Sequence, residues 1–153
     1  MKVAIGADHA GFEMKERVKQ YLESKGHTVQ DEGTHSPEST DYPPYAFRVA
    51  EAVRDGKAER GVLLCDSGNG IAIAANKVDT IRATICLNVK MAELARRHND
   101  GNVLVLASGF TARSTRPTTR DVTWKFETAE AGRRSMKPLS TAVASAPRAS
   151  WSP

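Results

Sequence analysis

A cysteine followed by a glycine-rich turn is the segment of this sequence best suited to chemistry. The run CDSGNG at residues 65–70 follows an apolar stretch and leads into residues with helical spacing as far as Lys77. A Gly-x-Gly turn that opens a helix lets successive backbone N–H groups converge on one oxyanion. Because a thiol near a helix N-terminus has a lowered pKa, the segment predicts that Cys65 can act as a base or a nucleophile.

Two other interpretations apply to this segment. Buried cysteines at strand ends are commonly inert packing residues, as we expect for Cys86, and the carboxylate of Asp66 would raise the pKa of a neighbouring thiol unless it points away. A dinucleotide site is disfavoured, because its fingerprint needs Gly or Ala at the position of Ile73 and an acid about 20 residues further on, where Asn88 stands. The anion cradle beside the thiol favours a functional Cys65.

Three further groups of polar residues could contribute to a site. Asp8 is suited to capping a helix or to catalysis, and His9 beside it could face an anion drawn to the same helix N-terminus. His98 and Asn99 follow a helical segment, either as a helix C-cap or as a polar cluster beside the sheet. Tyr42 stands at a helix entry, with a hydroxyl that could reach a ligand. Local sequence does not choose between these interpretations.

The elements that must position these residues alternate between strand and helix. Short apolar runs predict five strands, at residues 2–7, 27–30, 61–65, 81–87 and 102–107. Apolar residues at helical spacing predict intervening helices, at residues 12–26, 44–54, 70–77 and 89–97. This alternation implies right-handed crossovers and a parallel sheet covered on both faces, with ligands bound beyond the carboxyl ends of the strands.

Composition limits the class of protein. A chain of 153 residues predicts one domain. No window approaches the ~20 apolar residues of a membrane helix, and the N-terminus lacks signal-peptide design, so we expect a cytoplasmic protein without membrane contact. Cys65 and Cys86 cannot form a disulfide framework, and the four scattered histidines lack the spacing of zinc ligands. Neither disulfides nor a metal site is predicted.

The net charge of +4 is unevenly distributed along the chain. Residues 1–110 carry 14 Lys and Arg against 15 Asp and Glu, whereas residues 111–153 carry 8 against 3. The second part is rich in Ser, Thr, Arg and Pro and has little apolar periodicity. We therefore predict an α/β core over residues 1–110 and a divergent basic segment, partly helical or disordered, over residues 111–153. Because the core is nearly neutral and the basic segment lacks interleaved aromatic residues, no specific nucleic-acid binding is expected.

Four ordered motifs together resemble the ribose-5-phosphate isomerase B family, which also includes galactose-6-phosphate isomerase subunits. They are GADHAGFEMK at residues 6–15, TDYP at 40–43, CDSGNGIAIAANK at 65–77 and RRHNDGNVL at 96–104. The resemblance covers residues 1–108 and implies a Rossmann-like, three-layer α/β/α fold with a five-stranded parallel sheet. It also implies a homodimer or homotetramer whose active sites are built at the subunit interface.

The resemblance implies an aldose-ketose isomerase that needs no cofactor. Such an enzyme requires a base to move a proton between C1 and C2, and a cradle for the enediolate oxygen. In the family roles, Cys65 is the base, Ser67 assists proton transfer between oxygens, and His98 opens the furanose ring. Relatives that lack the cysteine use a glutamate where this chain has Ile71, so Cys65 is the base candidate here. The N–H groups that would hold the enediolate surround Gly68, Asn69 and Gly70.

Other matching positions bind the substrate in this family. Asp8, Tyr42 and Asn99 would position sugar hydroxyls, and His9 would contact the phosphate. Near the C-terminus, Arg133 and Lys137 stand where the family has two phosphate-binding arginines, and Gly109 stands where a further arginine is usual. We expect a small sugar phosphate as ligand and ribose 5-phosphate to ribulose 5-phosphate as the reaction. Isomerisation of a tetrose phosphate or hexose 6-phosphate, and sugar-phosphate binding without catalysis, are the open alternatives.

Overall fold

The computed structural model describes residues 1–110 and 119–129 and is built on a five-stranded sheet. Its strands are β1 (Lys2–Ala7), β2 (Thr28–Asp31), β3 (Arg60–Cys65), β4 (Ala83–Ile85) and β5 (Val103–Ala107). Its helices are α1 (Phe12–Ser24), α2 (Pro43–Arg54), α3 (Asn69–Ala75), α4 (Val89–Asn99) and α5 (Thr119–Thr128), and a 3-10 turn (His9–Gly11) precedes α1. The predicted α/β class with five parallel strands is confirmed.

The order of the strands defines where a ligand can bind. That order is β2-β1-β3-β5-β4, and every neighbouring pair is parallel. The chain winds from β1 to β2 on one side and then crosses to β3 on the other, so the winding direction reverses between β1 and β3. The register pairs Ala7 with Leu64 and Cys65 with Ala107, which aligns the carboxyl ends of β1, β3 and β5. The crevice beyond β1 and β3 is therefore the expected ligand site.

Apolar side chains fill both faces of the sheet. Five consecutive residues are buried in each of β1, β3 and β5, as is typical of parallel sheets covered by helices on both sides. One face packs against α2 and α3, and the other packs against α1, α4 and α5. Successive strand residues alternate between the faces, so Leu63 and Val105 belong to the first cluster and Leu64 and Leu104 to the second. The three-layer arrangement follows directly.

The largest differences from the predicted element boundaries surround β4 and α4. β4 is shorter than the predicted 81–87, since the Arg82 N–H donates to the Asn102 side chain at 2.8 Å before the strand begins. After the strand, Asn88 caps α4 by accepting a hydrogen bond from the Met91 N–H at 2.9 Å. α4 then continues to Asn99, so His98 lies within its last turn rather than after it.

α5 lies in the basic C-terminal part of the chain, where apolar residues are sparse. Val122 and Phe126 are spaced four residues apart and therefore share a helix face, where they are 0% and 1% exposed. They join the apolar cluster that also holds α1 and α4. Burial of each such side chain contributes about 1.5–3 kcal/mol to stability. Among residues 1–110 and 119–129, no helix is both long enough and apolar enough to cross a membrane.

Candidate active site

A hydrogen bond between Cys65 and Asp8 lies in the crevice between β1 and β3. The Cys65 thiol donates to Oδ2 of Asp8 with an Sγ to oxygen distance of 2.9 Å, although the two residues are 57 positions apart. The other oxygen, Oδ1, accepts from the Gly11 N–H at 3.0 Å and caps the turn that precedes α1. Asp8 is 5% exposed and Cys65 is 8% exposed. Asp8 therefore caps a helical turn and contacts the candidate base at the same time.

The surroundings of Cys65 disfavour the thiolate. Burial raises the pKa of the thiol, and the hydrogen bond and the charge of Asp8 raise it further, to about 11. Backbone N–H groups of Gly68 and Asp66 act in the opposite direction and are outweighed. The expectation of a lowered thiol pKa at this turn is wrong, because desolvation and a facing carboxylate exceed the effect of the N–H groups.

The carboxylate of Asp66 lies against Gly109. A Cβ atom at position 109 would collide with Oδ1 of Asp66, and the Gly109 N–H donates to the Asp66 carbonyl at 3.0 Å. The acid that opposes the thiolate is therefore Asp8 from β1, and not the neighbouring Asp66 considered from the sequence. Asp66 instead fills the space beyond β5 where the family resemblance would place an arginine side chain.

The glycine-rich turn has the backbone geometry that its sequence predicts. Gly68 has φ of +76°, a left-handed conformation that glycine adopts without steric cost, and it forms the N-cap of α3. The first intrahelical bond runs from the Ala72 N–H to the Gly68 carbonyl at 3.0 Å. The N–H groups of the residues between them are those that a helix start leaves without intrahelical acceptors. Ser67 lies on the same turn, where its Oγ accepts from the Asn69 N–H at 3.3 Å.

Tyr42 packs on the same turn, and His9 contacts the segment just before Tyr42. A Cβ at Gly70 would lie 2.6 Å from Cζ of Tyr42, so the tyrosine ring packs directly on the glycine. Nδ1 of His9 lies 3.0 Å from the carbonyl oxygen of Thr40 and 3.2 Å from its N atom, which ties the turn after β1 to the entry of α2. The structure thus brings Asp8 and Tyr42 into contact with the turn at residues 65–70 and joins His9 to Thr40, two residues before Tyr42.

The end of β1, which leads into Asp8, is hydrogen-bonded to the loop after β2. The Ala7 N–H donates to the Gly33 carbonyl at 2.7 Å, and the Thr34 N–H donates to the Ala7 carbonyl at 2.8 Å. Asp31 fixes this loop, because its Oδ1 accepts from the Gly33 N–H at 3.0 Å and from Nζ of Lys15 at 2.8 Å. The position of Asp8 therefore depends on β2 as well as on β1.

His98 and Asn99 lie at the other end of the sheet. α4 starts beyond the carboxyl end of β4 and returns to the amino end of β5, where the Gly61 N–H donates to the Asn102 carbonyl at 3.0 Å. Gly61 and Cys65 are four positions apart along β3, a rise of about 13 Å. A single chain does not bring His98 or Asn99 to Cys65. Asp100, with φ of 47°, takes the left-handed C-cap position that the sequence suggested for Asn99.

Two residues at the edges of the site had no role in the sequence analysis. The Ser108 hydroxyl follows β5 and lies 3.1 Å from the Cys65 carbonyl and 3.0 Å from the Ala10 carbonyl, so it can bridge two loops of the site. Tyr45 of α2 lies near Thr40, whose hydrogen bond lowers the pKa of the tyrosine. Only the alignment of β1, β3 and β5 could have identified Ser108. Arg133 and Lys137 lie outside the described residues, and within those residues no three His, Cys, Asp or Glu side chains form a metal site.

Comparison with known proteins connects this geometry to a family. A family model described as Ribose/Galactose Isomerase matches residues 3–138. Ribose-5-phosphate isomerase B of Escherichia coli is 49% identical over 107 residues, which are 70% of this chain and 72% of that protein. The D-erythrulose-4-phosphate isomerase of Pectobacterium atrosepticum is 42% identical over 110 residues, 71% of this chain and 72% of that protein. The solved structure of ribose-5-phosphate isomerase B from Clostridium thermocellum matches with a TM-score of 0.82 at 42% identity, over 86% of each chain.

Proposed function

Because the chain belongs to the ribose/galactose isomerase family, we propose that it interconverts ribose 5-phosphate and ribulose 5-phosphate with Cys65 as the base. Membership of the family makes the protein a sugar-phosphate isomerase that moves a carbonyl group between aldose and ketose forms. One observation carries the assignment of the base: the Cys65 sulfur contacts both the Asp8 carboxylate and the backbone N–H groups of Asp66 and Gly68. A base beside a set of N–H groups is what an enediolate intermediate requires, and this arrangement supports the assignment.

The residues of the turn fit the successive steps of the reaction. The Cys65 thiolate removes the C2 proton of the open-chain aldose, and the electron pair forms a C1–C2 double bond while O1 becomes anionic. N–H groups at the start of α3 stabilise that charge. The O2 proton then moves to O1 with help from the Ser67 hydroxyl. Finally, the Cys65 thiol returns its proton to C1, which gives the ketose and regenerates the thiolate.

We propose that a second copy of the chain completes each site with His98 and Asn99. The support is topological, because within one chain these residues lie at the opposite end of the sheet from Cys65. Exposed apolar side chains are available for such an interface, including Ile73 on α3 (62% exposed) and Phe110 after β5 (66% exposed). In this assembly the ring-opening imidazole and the base come from different subunits, so a lone subunit would lack part of the machinery.

A tetrose phosphate is the second candidate substrate. The relative named D-erythrulose-4-phosphate isomerase is 42% identical to this chain, close to the identity of relatives named for ribose 5-phosphate. The carboxylate of Asp66 beside Gly109 also changes the charge at the edge of the site relative to the family pattern. Both substrates use the same base and cradle and differ in the distance from the carbonyl to the phosphate.

The test is an isomerase assay on the full chain and on Cys65→Ala, with ribose 5-phosphate, erythrulose 4-phosphate and galactose 6-phosphate as substrates. We expect ribose 5-phosphate to give the highest kcat/KM and Cys65→Ala to lose turnover on every substrate. Cys86→Ala is the matched control, since Cys86 is buried among apolar residues and should leave kcat unchanged. A higher kcat/KM on another sugar phosphate would make that compound the substrate in place of ribose 5-phosphate. Binding without turnover by the unmodified chain would contradict catalysis.

A further inference from the structure

The hydrogen bond from Cys65 to Asp8 holds the candidate base in its protonated, unreactive form. The thiol proton points at Oδ2 of a carboxylate that is itself 5% exposed, with 2.9 Å between sulfur and oxygen. The carboxylate cannot turn away without losing its second bond, the one from the Gly11 N–H to Oδ1 at 3.0 Å. The isomerisation described above begins with a thiolate, and this geometry opposes one.

Of the charged side chains near Cys65, Asp8 is the one that contacts the thiol. From the turn after β3, Cys65 meets backbone N–H groups of Asp66 and Gly68, while the Asp66 carboxylate lies against Gly109. From α2, Tyr45 lies close enough to Asp8 for the two groups to interact, although hydrogen bonds with Thr40 and Thr34 outweigh the aspartate charge and leave the pKa of the tyrosine lowered. His9 on the turn after β1 is joined to Thr40. The balance between thiol and thiolate is therefore controlled mainly by what Asp8 contacts.

We propose that Asp8 is a substrate-sensitive latch on Cys65: in the free protein it holds the thiol as a hydrogen-bond donor, and a substrate hydroxyl that donates to Asp8 instead releases the thiol. Asp8 is in this role a positioning residue that acts through Cys65. The part that concerns substrate rests on the proposed function, because it needs a polyhydroxylated ligand in the crevice. The part that concerns the free protein stands on the contact between the two side chains.

Release has a simple proton balance. When a sugar O–H replaces the S–H as the donor to Oδ2, the S–H loses its acceptor, and the charge of Asp8 is partly neutralised by the new donor. The S–H bond then breaks with its electron pair left on sulfur, and the proton passes to a water molecule or buffer base at the mouth of the crevice. The thiolate that remains is stabilised by the N–H groups of Asp66 and Gly68. The thiolate is thus formed when a substrate is bound, and Cys65 stays a protonated thiol in its absence.

The test compares the pH dependence of Cys65 alkylation by iodoacetamide in the free, full-length protein and in Asp8→Asn. Alkylation requires the thiolate, which forms an S–C bond and displaces iodide. Asparagine is a good N-cap, so the variant keeps the bond to Gly11 and should fold, which a thermal melt verifies. We expect the alkylation profile of Asp8→Asn to move to lower pH, with a rate about threefold to tenfold higher at a fixed, mildly alkaline pH.

Controls separate the latch from general effects on the turn. Asp66→Asn removes a carboxylate from the same turn without touching the thiol contact, and it should leave the alkylation profile in place. Cys86, buried and with its pKa raised to about 12, should not react in either protein, as peptide mass analysis would show. An unchanged profile in Asp8→Asn, or an equal shift in Asp66→Asn, would overturn the latch. If Asp8→Asn does not fold, Asp8→Ser gives the same comparison, because serine also caps helices.

A second measurement tests release by ligand. Ribitol 5-phosphate carries hydroxyls but no carbonyl, so it can bind without isomerising, and thiolate formation is followed by ultraviolet absorbance. We expect a thiolate signal on binding to the unmodified protein and none in Cys65→Ser. Binding without this signal would contradict release. Absence of binding, together with a shifted alkylation profile in Asp8→Asn, would leave the contact in the free protein established, would contradict release by a pentitol phosphate, and would count against ribose 5-phosphate as the proposed substrate.

Discussion

The carboxylate of Asp66 occupies the space that a side chain at position 109 would need. Oδ1 of Asp66 lies within collision distance of a Cβ built on Gly109, and the Gly109 N–H donates to the Asp66 carbonyl at 3.0 Å. The two positions are therefore sterically coupled, and a change at one decides what is tolerated at the other. The coupling concerns the edge of the sheet beyond β3 and β5, next to the turn that carries Cys65.

This coupling predicts that Gly109→Arg alone fails to improve substrate binding and that Asp66→Gly/Gly109→Arg succeeds. In the single variant the arginine clashes with Asp66 or pairs with it, so its charge is not available to a phosphate. In the double variant the space is free, and a charge-assisted contact of about 1.5–3 kcal/mol lowers the KM for ribose 5-phosphate roughly tenfold or more. Steady-state kinetics of the double variant and both single variants measure the interaction energy. Additive effects would refute the coupling.

Mixing two inactive variants should restore activity if His98 reaches Cys65 from a second copy. Cys65→Ala and His98→Ala each remove one component from every site of a homodimer. Random exchange of subunits produces mixed dimers in which one of the two sites carries neither change, so we expect about a quarter of the unmodified activity from an equimolar mixture. The double variant Cys65→Ala/His98→Ala, mixed with the unmodified chain, is the control for subunit exchange. A mixture that stays inactive after verified exchange would show that the site lies within one chain.

Asp31→Asn should destabilise the protein and weaken its acid sensitivity. Nζ of Lys15, whose side chain is 0% exposed, lies 2.7 Å from Oδ2 and 2.8 Å from Oδ1 of Asp31. Removal of one partner of a buried pair leaves an uncompensated charge, although Glu16 at 2.7 Å remains, so we expect a loss of about 3 kcal/mol at neutral pH. Urea unfolding measures it. Asp55→Asn, which breaks the surface pair with Arg54, is the control and should have little effect.

The sign of the pH effect follows from the pKa of Asp31. Burial raises that pKa, but hydrogen bonds from Lys15 and Lys19 outweigh burial, and the net pKa lies below the ordinary value of 3.8. A carboxyl group whose pKa is lower in the folded state stabilises the protein above its ordinary pKa and loses that contribution as pH falls through the folded value. The unfolding free energy should therefore decline below about pH 4, and less steeply in Asp31→Asn. Equal slopes would show that other groups control acid unfolding.

Alanine substitutions at two glycines should separate catalysis from stability. A Cβ at Gly70 would meet the ring of Tyr42 at 2.6 Å, and Tyr42 is 38% exposed, so we expect its ring to move outward. A Cβ at Gly11 would meet the Leu64 backbone carbonyl at 2.5 Å, which cannot move without disturbing β3. We expect Gly70→Ala to lower kcat/KM about tenfold with little change in Tm, since the ring leaves the cradle. Gly11→Ala should lower Tm instead, and a Tm loss in Gly70→Ala equal to that in Gly11→Ala would contradict this distinction.

Much of the fold could be predicted from the sequence because buried parallel strands and amphipathic helices have distinct periodicities. β1 and β3 are continuous apolar runs, and the left-handed conformation of Gly68 follows from a Gly-x-Gly turn that opens a helix. α5 was harder to predict, because it buries Val122 and Phe126 in a part of the chain with few apolar residues. Local patterning underestimates a helix whose main stabilisation comes from two side chains in contact with α1 and α4.

The contacts of the candidate site depended on information that local sequence does not carry. Asp8 and Cys65 meet because β1 and β3 are neighbours in the sheet, which is a property of strand order. The direction of the thiol pKa depends on how deeply Cys65 is buried, and motif spacing does not specify burial. The family resemblance assigns His98 to the same site as Cys65. Within one chain, however, α4 runs antiparallel to the strands and carries His98 to the far end of the sheet. The motifs identified the chemistry, and the topology determined which contacts one chain can make.

The two backbone hydrogen bonds of Ala7 affect the thermodynamics of ligand binding. The last residue of β1 is bonded on both its N–H and its carbonyl to the loop at Gly33 and Thr34, so the residue before Asp8 is already ordered in the absence of ligand. The conformational entropy of this segment is lost when the chain folds and is not lost again when a ligand binds. A ligand that contacts Asp8 therefore loses little further conformational entropy in ordering this segment, and its affinity should depend little on segmental motion at the end of β1.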